Sequence, residues 1–121
     1  MANFSSALLG ILNQLKVLHW QTQSYAKHQA FGEAYNELDD LIDTFVEVYM
    51  GKHGRIIIEK DDTINLVNIG EMDQDEFLTV ICDFLYSFDN RLDSNKDTDL
   101  LNIRDEMLAT VNKLKYLLTL Q

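Results

Sequence analysis

The chain has 121 residues, of which 46% are hydrophobic and 25% are charged, and its formal net charge is −10. This length predicts a single domain over residues 1–121, and the composition excludes a disordered chain. The acidic excess predicts that the protein binds neither nucleic acid nor anionic membrane surfaces. No apolar run approaches the ~20 residues that cross a bilayer, and no basic residues precede the first apolar stretch, so neither a membrane span nor a signal peptide is expected.

The single cysteine, Cys82, has no partner for an internal disulfide. A chain without disulfides is typical of a reducing compartment, and we therefore expect a cytoplasmic protein. Because Cys82 follows the apolar residues Val80 and Ile81, we expect its side chain to fill the core and not to act as a nucleophile.

The first two predicted helices each carry apolar residues at the 3–4 residue spacing of one helical face. Asn3 and Ser5 are the candidate caps of the first helix, and the polar stretch 21–24 predicts its end. Gly51 and Gly54 predict the end of the second helix. The two stripes are Phe4, Leu8, Ile11, Leu12, Leu15 and Leu18, and then Phe31, Tyr35, Leu38, Leu41, Ile42, Phe45, Val46 and Tyr49.

Residues 55–72 are the least regular part of the chain, and we expect a crossing loop there. Within it, Arg55–Ile58 has strand propensity but no obvious partner strand. Asp73 followed by Glu76 is a capping box that predicts the start of a third helix, and 94–97 predicts a tight polar connection to a fourth. The two later stripes are Phe77, Val80, Ile81, Phe84, Leu85, Phe88 and Leu92, and then Leu100, Ile103, Met107, Val111, Leu114, Leu117 and Leu118.

Four amphipathic stripes with two short links and one long link predict an all-α protein, an antiparallel four-helix bundle. The long link lies between the second and third helices. An up-down bundle with short loops needs no such link, whereas a ferritin-like bundle has a long crossover there. A ferritin-like four-helix bundle is therefore the predicted fold.

His19, His28, Asp43 and Glu47 are the candidate metal ligands, because imidazole and carboxylate together suit iron, manganese and zinc. Asp43 and Glu47 are one helical turn, ~6 Å, apart and can share a cation. All four lie along or beside stripes expected to face a core, where an unpaired charge is costly. His19 and His28 would lie on opposite sides of one continuous helix, so joint ligation requires a bend near residues 24–27.

The motif Leu18-His19-Trp20, the later His28 and the run 35–47 resemble the Dps family of mini-ferritins. The resemblance covers roughly residues 8–54. Members of that family carry a Leu-His-Trp motif on the first helix, a second His at the start of the second helix, and an acidic pair spaced i, i+4 further along. Their ferroxidase site forms across a two-fold axis between subunits.

Carried over, the resemblance implies that His19 and His28 of one subunit and Asp43 and Glu47 of the other hold iron, with manganese or zinc as substitutes. It implies a ferroxidase that is at least a homodimer, and it is compatible with a dodecamer. Gly32 stands where the family has a further Asp ligand. The adjacent Glu33 is rotated by ~100° around the helix. The gap between the two histidines is also three residues shorter than is usual in the family.

Three alternatives compete with an iron site. A lone histidine on an apolar face is more often a hydrogen-bonded core residue, which is the plain interpretation of His19. The substitution at Gly32 would also fit a non-catalytic ferritin-fold dimer that binds a partner through a degenerate site. An all-α nucleotide pyrophosphohydrolase is disfavoured, because its Glu-Glu-x-x-Glu pattern is missing and Mg²⁺ has little use for two histidines.

His53 is predicted to be a solvated cap residue, and Asp39 is a candidate extra ligand.

Overall fold

The computed structural model describes residues 4–120, and their regular structure is entirely helical. The α-helices are α1 (Phe4–Gln21), α2 (Tyr25–His53), α3 (Gln74–Tyr86) and α4 (Thr98–Leu117), with 3-10 turns at Ile69–Glu71 and Ser87–Asn90. The prediction of an all-α protein with four helices is confirmed. The candidate cap Asn3 lies outside the described residues.

Residues 22–24 separate α1 from α2, within the polar stretch that predicted the end of the first helix. The hydroxyl of Ser24 accepts a hydrogen bond from the backbone N–H of Lys27 and so caps α2. At its other end, α2 continues through Gly51 and stops only at Gly54, whose φ of 93° is favourable for glycine. Of the two glycines that predicted the helix end, only Gly54 ends it.

The helices bury a single cluster of apolar side chains. At one end of the bundle, the ring of Phe4 lies edge-on against Phe45 of α2 and Phe88 after α3. Helix α2 contacts both α1 and α4, and α3 packs against α4. The fully buried large residues of this core are Phe4, Leu8, Leu15, Leu18, Phe31, Leu38, Phe45, Leu78, Ile81, Leu85, Phe88 and Leu100.

The crossing loop lies along α1. Ser6 donates to the carboxylate of Asp62 (2.8 Å), and the side-chain amide of Gln14 makes two hydrogen bonds to the backbone of Val67. At the end of α1, Gln21 accepts from the backbone N–H of Ile69 (2.7 Å). The loop from 62 to 69 thus covers the ~22 Å spanned by residues 6–21 of α1, so it is close to fully extended.

The second half of the chain is held by polar contacts that the apolar pattern does not reveal. Asp73 accepts from the backbone N–H of Glu76 (3.1 Å), which confirms the predicted cap of α3. The buried Arg104 of α4 donates to the carbonyl of Leu85 near the end of α3. Cys82 is buried, and burial raises the pKa of its thiol, as expected of a core residue. None of the helices within residues 4–120 is long and apolar enough to cross a membrane.

Candidate metal-binding site at the histidine pair

His19 and His28 lie against each other where α1 meets α2. His19 is in the last turn of α1 and His28 is in the first turn of α2, and the break at 22–24 folds one against the other. Their rings stack with centroids 3.8 Å apart and planes inclined by 16°. The bend that joint ligation requires is therefore present, although it lies slightly before the predicted position. We call these two residues the histidine pair.

Each ring of the histidine pair is bonded to the backbone of the other residue. The Nδ1 of His19 lies 2.7 Å from the carbonyl oxygen of His28, and the Nδ1 of His28 lies 2.7 Å from that of His19. A carbonyl oxygen can only accept, so both Nδ1 atoms carry the proton and donate. When the rings are neutral, the lone pair of each is therefore on Nε2. Neither Nε2 makes a hydrogen bond to any residue of 4–120.

Gly32 makes room for the ring of His19. A Cβ atom at this position would lie 2.9 Å from Cε1 and 3.1 Å from Nδ1 of that ring, which is closer than packed atoms come. The absence of a side chain is thus a packing requirement in this arrangement. An aspartate, which the resemblance would place here, cannot fit without displacing His19.

A shallow depression of about 230 Å³ opens beside the histidine pair. Its lining is His19, His28, Gln29, Gly32, Glu33 and Asn36. Glu33, which helical rotation had set apart from the ligand position, therefore borders the same depression as both rings. The sequence analysis did not identify Gln29 and Asn36. Each of them is three or four residues from both Gly32 and Glu33, which places them on the same side of α2. The neighbouring Trp20 is 70% exposed and is not a core residue.

Asp43 and Glu47 lie apart from the histidine pair within one protomer. Asp43 is fifteen residues beyond His28 on the continuous helix α2, which corresponds to ~22 Å along its axis. Both carboxylates are exposed in one protomer, so they lie beside the second apolar stripe and not within the core. Asp39 is exposed as well. Within residues 4–120, no three metal-ligating side chains lie close enough together to hold an ion.

A second polar cluster occupies the other end of α2. The Nε2 of His53 lies 3.0 Å from Oδ1 of Asp97, a buried carboxylate that Lys52 also approaches at 3.4 Å. The hydrogen bond from the backbone N–H of Asp93, joined by those from His53 and Lys52, lowers the pKa of Asp97. His53 is thus bonded to a buried partner and is not simply the solvated cap residue that was predicted.

Comparisons with known proteins identify a family and a short match to one relative. A family model described as "Family of unknown function (DUF5856)" matches residues 19–118. An "Uncharacterized 14.6 kDa protein in mobD-ri intergenic region" of Enterobacteria phage T4 is 51% identical over 37 residues, which are 31% of this chain and 29% of that protein. The chain thus covers less than a third of that relative's length. No solved structure matches.

Proposed function

The chain belongs to DUF5856, a family described as one of unknown function, and from its residues we propose that it is a ferritin-like iron-binding protein with ferroxidase activity. In this proposal His19 and His28 come from one protomer, and Asp43 and Glu47 come from its partner. The protein is then a homodimer at least. Two imidazoles and two carboxylates form a donor set that suits iron and also accepts manganese or zinc.

The hydrogen bonding of the histidine pair through Nδ1 carries this proposal. Histidines that bind metal usually donate their other ring N–H to a carbonyl or a carboxylate, which fixes the tautomer and the ring orientation. Both rings do so here through Nδ1, with distances of 2.7 Å, and both border the same depression. A core histidine held only for packing would not need both Nε2 lone pairs left free beside an opening.

A second copy is needed because Asp43 and Glu47 lie too far along α2 from the histidine pair to bind the same ion within one protomer. Positions 28, 32, 36, 39, 43 and 47 recur every three or four residues, so they lie along one face of the helix. Residues 28 and 43 are almost equidistant from Asn36. If two α2 helices cross in opposite directions about a two-fold axis near Asn36, the acidic pair of each copy lies against the histidine pair of the other.

The ferritin-like order of helix directions is supported by the contacts at the two ends of the bundle. The start of α1 meets the end of α2 through Phe4 and Phe45, and the histidine pair joins their other ends. The crossing loop then runs along α1, from Ser6 near the start of that helix to Gln21 at its end. Asp73, at the start of α3, lines the same depression as Lys27, at the start of α2, and this supports a ferritin-like crossover.

Fe(II) is the substrate in this mechanism, and dioxygen or peroxide takes its electron. The chain's own residues bind and orient the ion. The fixed tautomers present nitrogen lone pairs with no rotation of either ring, and the carboxylates of the partner favour the more highly charged Fe(III) product. The hydrogen bonds through Nδ1 keep both rings in position during turnover.

A non-catalytic dimer is the second candidate, and Gly32 is the observation that favours it. Because the ring of His19 fills the space of a further ligand, the histidine pair holds α1 against α2 with no metal at all. The protein would then bind a partner through this face. It would bind no more Fe(II) than a variant without the pair.

The test is an anaerobic calorimetric titration with Fe(II), followed by oxygen-consumption measurements on the loaded protein. His19→Asn and His28→Asn keep a donor at the position of Nδ1 but remove Nε2, so we expect binding to be lost while helicity is retained. His53→Asn is the matched control, because its ring nitrogen is already bonded to Asp97. Equal Fe(II) binding by wild type and by the variant that carries both His19→Asn and His28→Asn would refute the proposed function.

Mixing two inactive variants tests whether the site is shared. The double variants His19→Asn/His28→Asn and Asp43→Asn/Glu47→Gln should each bind no Fe(II). After subunit exchange, half of the dimers are mixed and each has one intact site of two, so about a quarter of wild-type binding should return. Asp40→Asn/Asp83→Asn, with the same change in charge at exposed positions, should bind normally. No recovery on mixing would mean that the acidic pair does not complete the site.

A further inference from the structure

The stretch that follows α2 exposes an unusual amount of apolar surface. It consists of Arg55, three isoleucines and Glu59, and we call it the isoleucine segment. Ile57 is 71% exposed and Ile58 is 50% exposed, whereas Ile56 is partly buried against the core. Adjacent exposed β-branched side chains form an apolar patch on which another polypeptide can dock.

The backbone of the isoleucine segment is also unpaired. The N–H and C=O groups of Ile56, Ile57 and Ile58 make no hydrogen bond within the described part of the chain. The chain runs from Gly54 to Glu59 without a turn or bend and turns only at 60–61. Three consecutive isoleucines have high strand propensity, and an unpaired strand-like edge accepts a second strand.

The charges at the two ends make the segment complementary to a second copy of itself. Arg55 and Glu59 stand two residues before and two residues after Ile57, and neither forms an ion pair within residues 4–120. In an antiparallel pair of identical segments centred on Ile57, each Arg55 faces the Glu59 of the other copy. Opposite charges directly across a strand pair are stabilising, and two facing isoleucines add apolar contact.

We propose that a second copy of this chain docks on the isoleucine segment and forms a two-stranded antiparallel ribbon about a two-fold axis at Ile57. The surface is self-complementary in charge and in apolar contact, as a two-fold interface requires. This interface is separate from the one near Asn36 and does not depend on the proposed function. With both interfaces formed, the assembly exceeds a dimer, and loss of either one leaves a dimer.

The association of charge-reversal variants, measured by sedimentation velocity, tests this strand pairing. Arg55→Glu or Glu59→Arg alone places like charges opposite each other twice per interface, so we expect the dissociation constant to rise by about tenfold or more. The double variant Arg55→Glu/Glu59→Arg restores opposite charges and should associate like wild type. Lys60→Glu, a neighbouring exposed cation, is the control and should change little. A double variant as weak as the single ones would overturn the pairing.

Cross-linking through Ile57 provides a second, independent readout. Ile57→Cys places two thiols across the two-fold axis and should form a disulfide-linked dimer under mild oxidation. The native Cys82 is buried and should not compete, and Ile64→Cys, also exposed on the crossing loop, is the control. Linkage no faster than that of Ile64→Cys at every concentration would overturn the proposal.

Discussion

The two ends of α2 both hold a histidine, but they use it differently. At the first turn, His28 and its partner His19 donate to backbone carbonyls through Nδ1. At the last turn, His53 reaches the buried carboxylate of Asp97 through Nε2. The first arrangement leaves two Nε2 lone pairs free beside a depression, whereas the second commits Nε2 to a hydrogen bond with a carboxylate. The proposed metal site therefore uses the histidine pair at the first end.

The two ends of α2 also differ in the space around their glycines. Gly32 lies under the ring of His19, where an added Cβ atom has no space. At Gly51, an added Cβ atom would meet nothing within 4 Å. The same residue type is thus a packing requirement at one end of the helix and carries only a cost in helix propensity at the other.

The largest expected effect comes from filling the space at Gly32. Gly32→Ala should destabilise the protein by about 1–3 kcal/mol, because His19 must move or the helices must separate. Gly32→Asp should cost more, and it should not create a further ligand. Gly51→Ala should instead stabilise by about 0.5–1 kcal/mol. Urea unfolding measures all three, and a Gly32→Ala variant as stable as wild type would contradict the packing described for His19.

A smaller and pH-dependent effect is expected at the other end of α2. Because hydrogen bonds lower the pKa of Asp97 in the folded state, its contribution is complete above roughly pH 4 and is lost as the pH falls through the lowered value. Asp97→Asn should therefore be less stable than wild type at pH 7, and the difference should shrink on acidification. Unfolding midpoints between pH 7 and 3 measure this. Asp61→Asn, at an exposed position, should show no such convergence.

The smallest effect is expected at the cap beside the histidine pair. Ser24→Ala removes the acceptor for the backbone N–H of Lys27 and should cost about 1 kcal/mol. Because the same break brings His19 and His28 together, Fe(II) affinity should fall as well. Asp73→Ala removes the equivalent cap of α3, away from the pair, and should lower stability without changing Fe(II) affinity. Equal affinities for both variants and wild type would mean that the cap does not hold the site.

Helix positions were predictable because apolar periodicity and caps are local. Ser24 and Asp73 cap helices next to the predicted breaks, and the stripes supplied most of the buried residues. The end of α2 was less certain from sequence, because a glycine without positive φ, such as Gly51, can stay helical. Arg104 was not anticipated, since a buried guanidinium depends on the carbonyl of Leu85, nineteen residues away.

The candidate site was only partly predictable. Residue chemistry pointed to His19 and His28, and the structure brings them together. Glu33 is rotated around the helix from the ligand position at Gly32, yet it borders the same depression as both rings. The acidic pair was expected along or beside a core-facing stripe; Asp43 and Glu47 are exposed in one protomer, and an iron site shared with a second copy stays a prediction.

The sequence by itself determined the all-α class, the four helices and the long crossing loop, because helix periodicity, capping and turn chemistry act over a few residues. Only the tertiary structure decided that the two histidines stack and donate to each other's backbone, and that Gly32 must lack a side chain. Those features depend on where two helices meet in space. Close packing allows few arrangements at such a contact, and the order of residues along either helix does not specify which one forms.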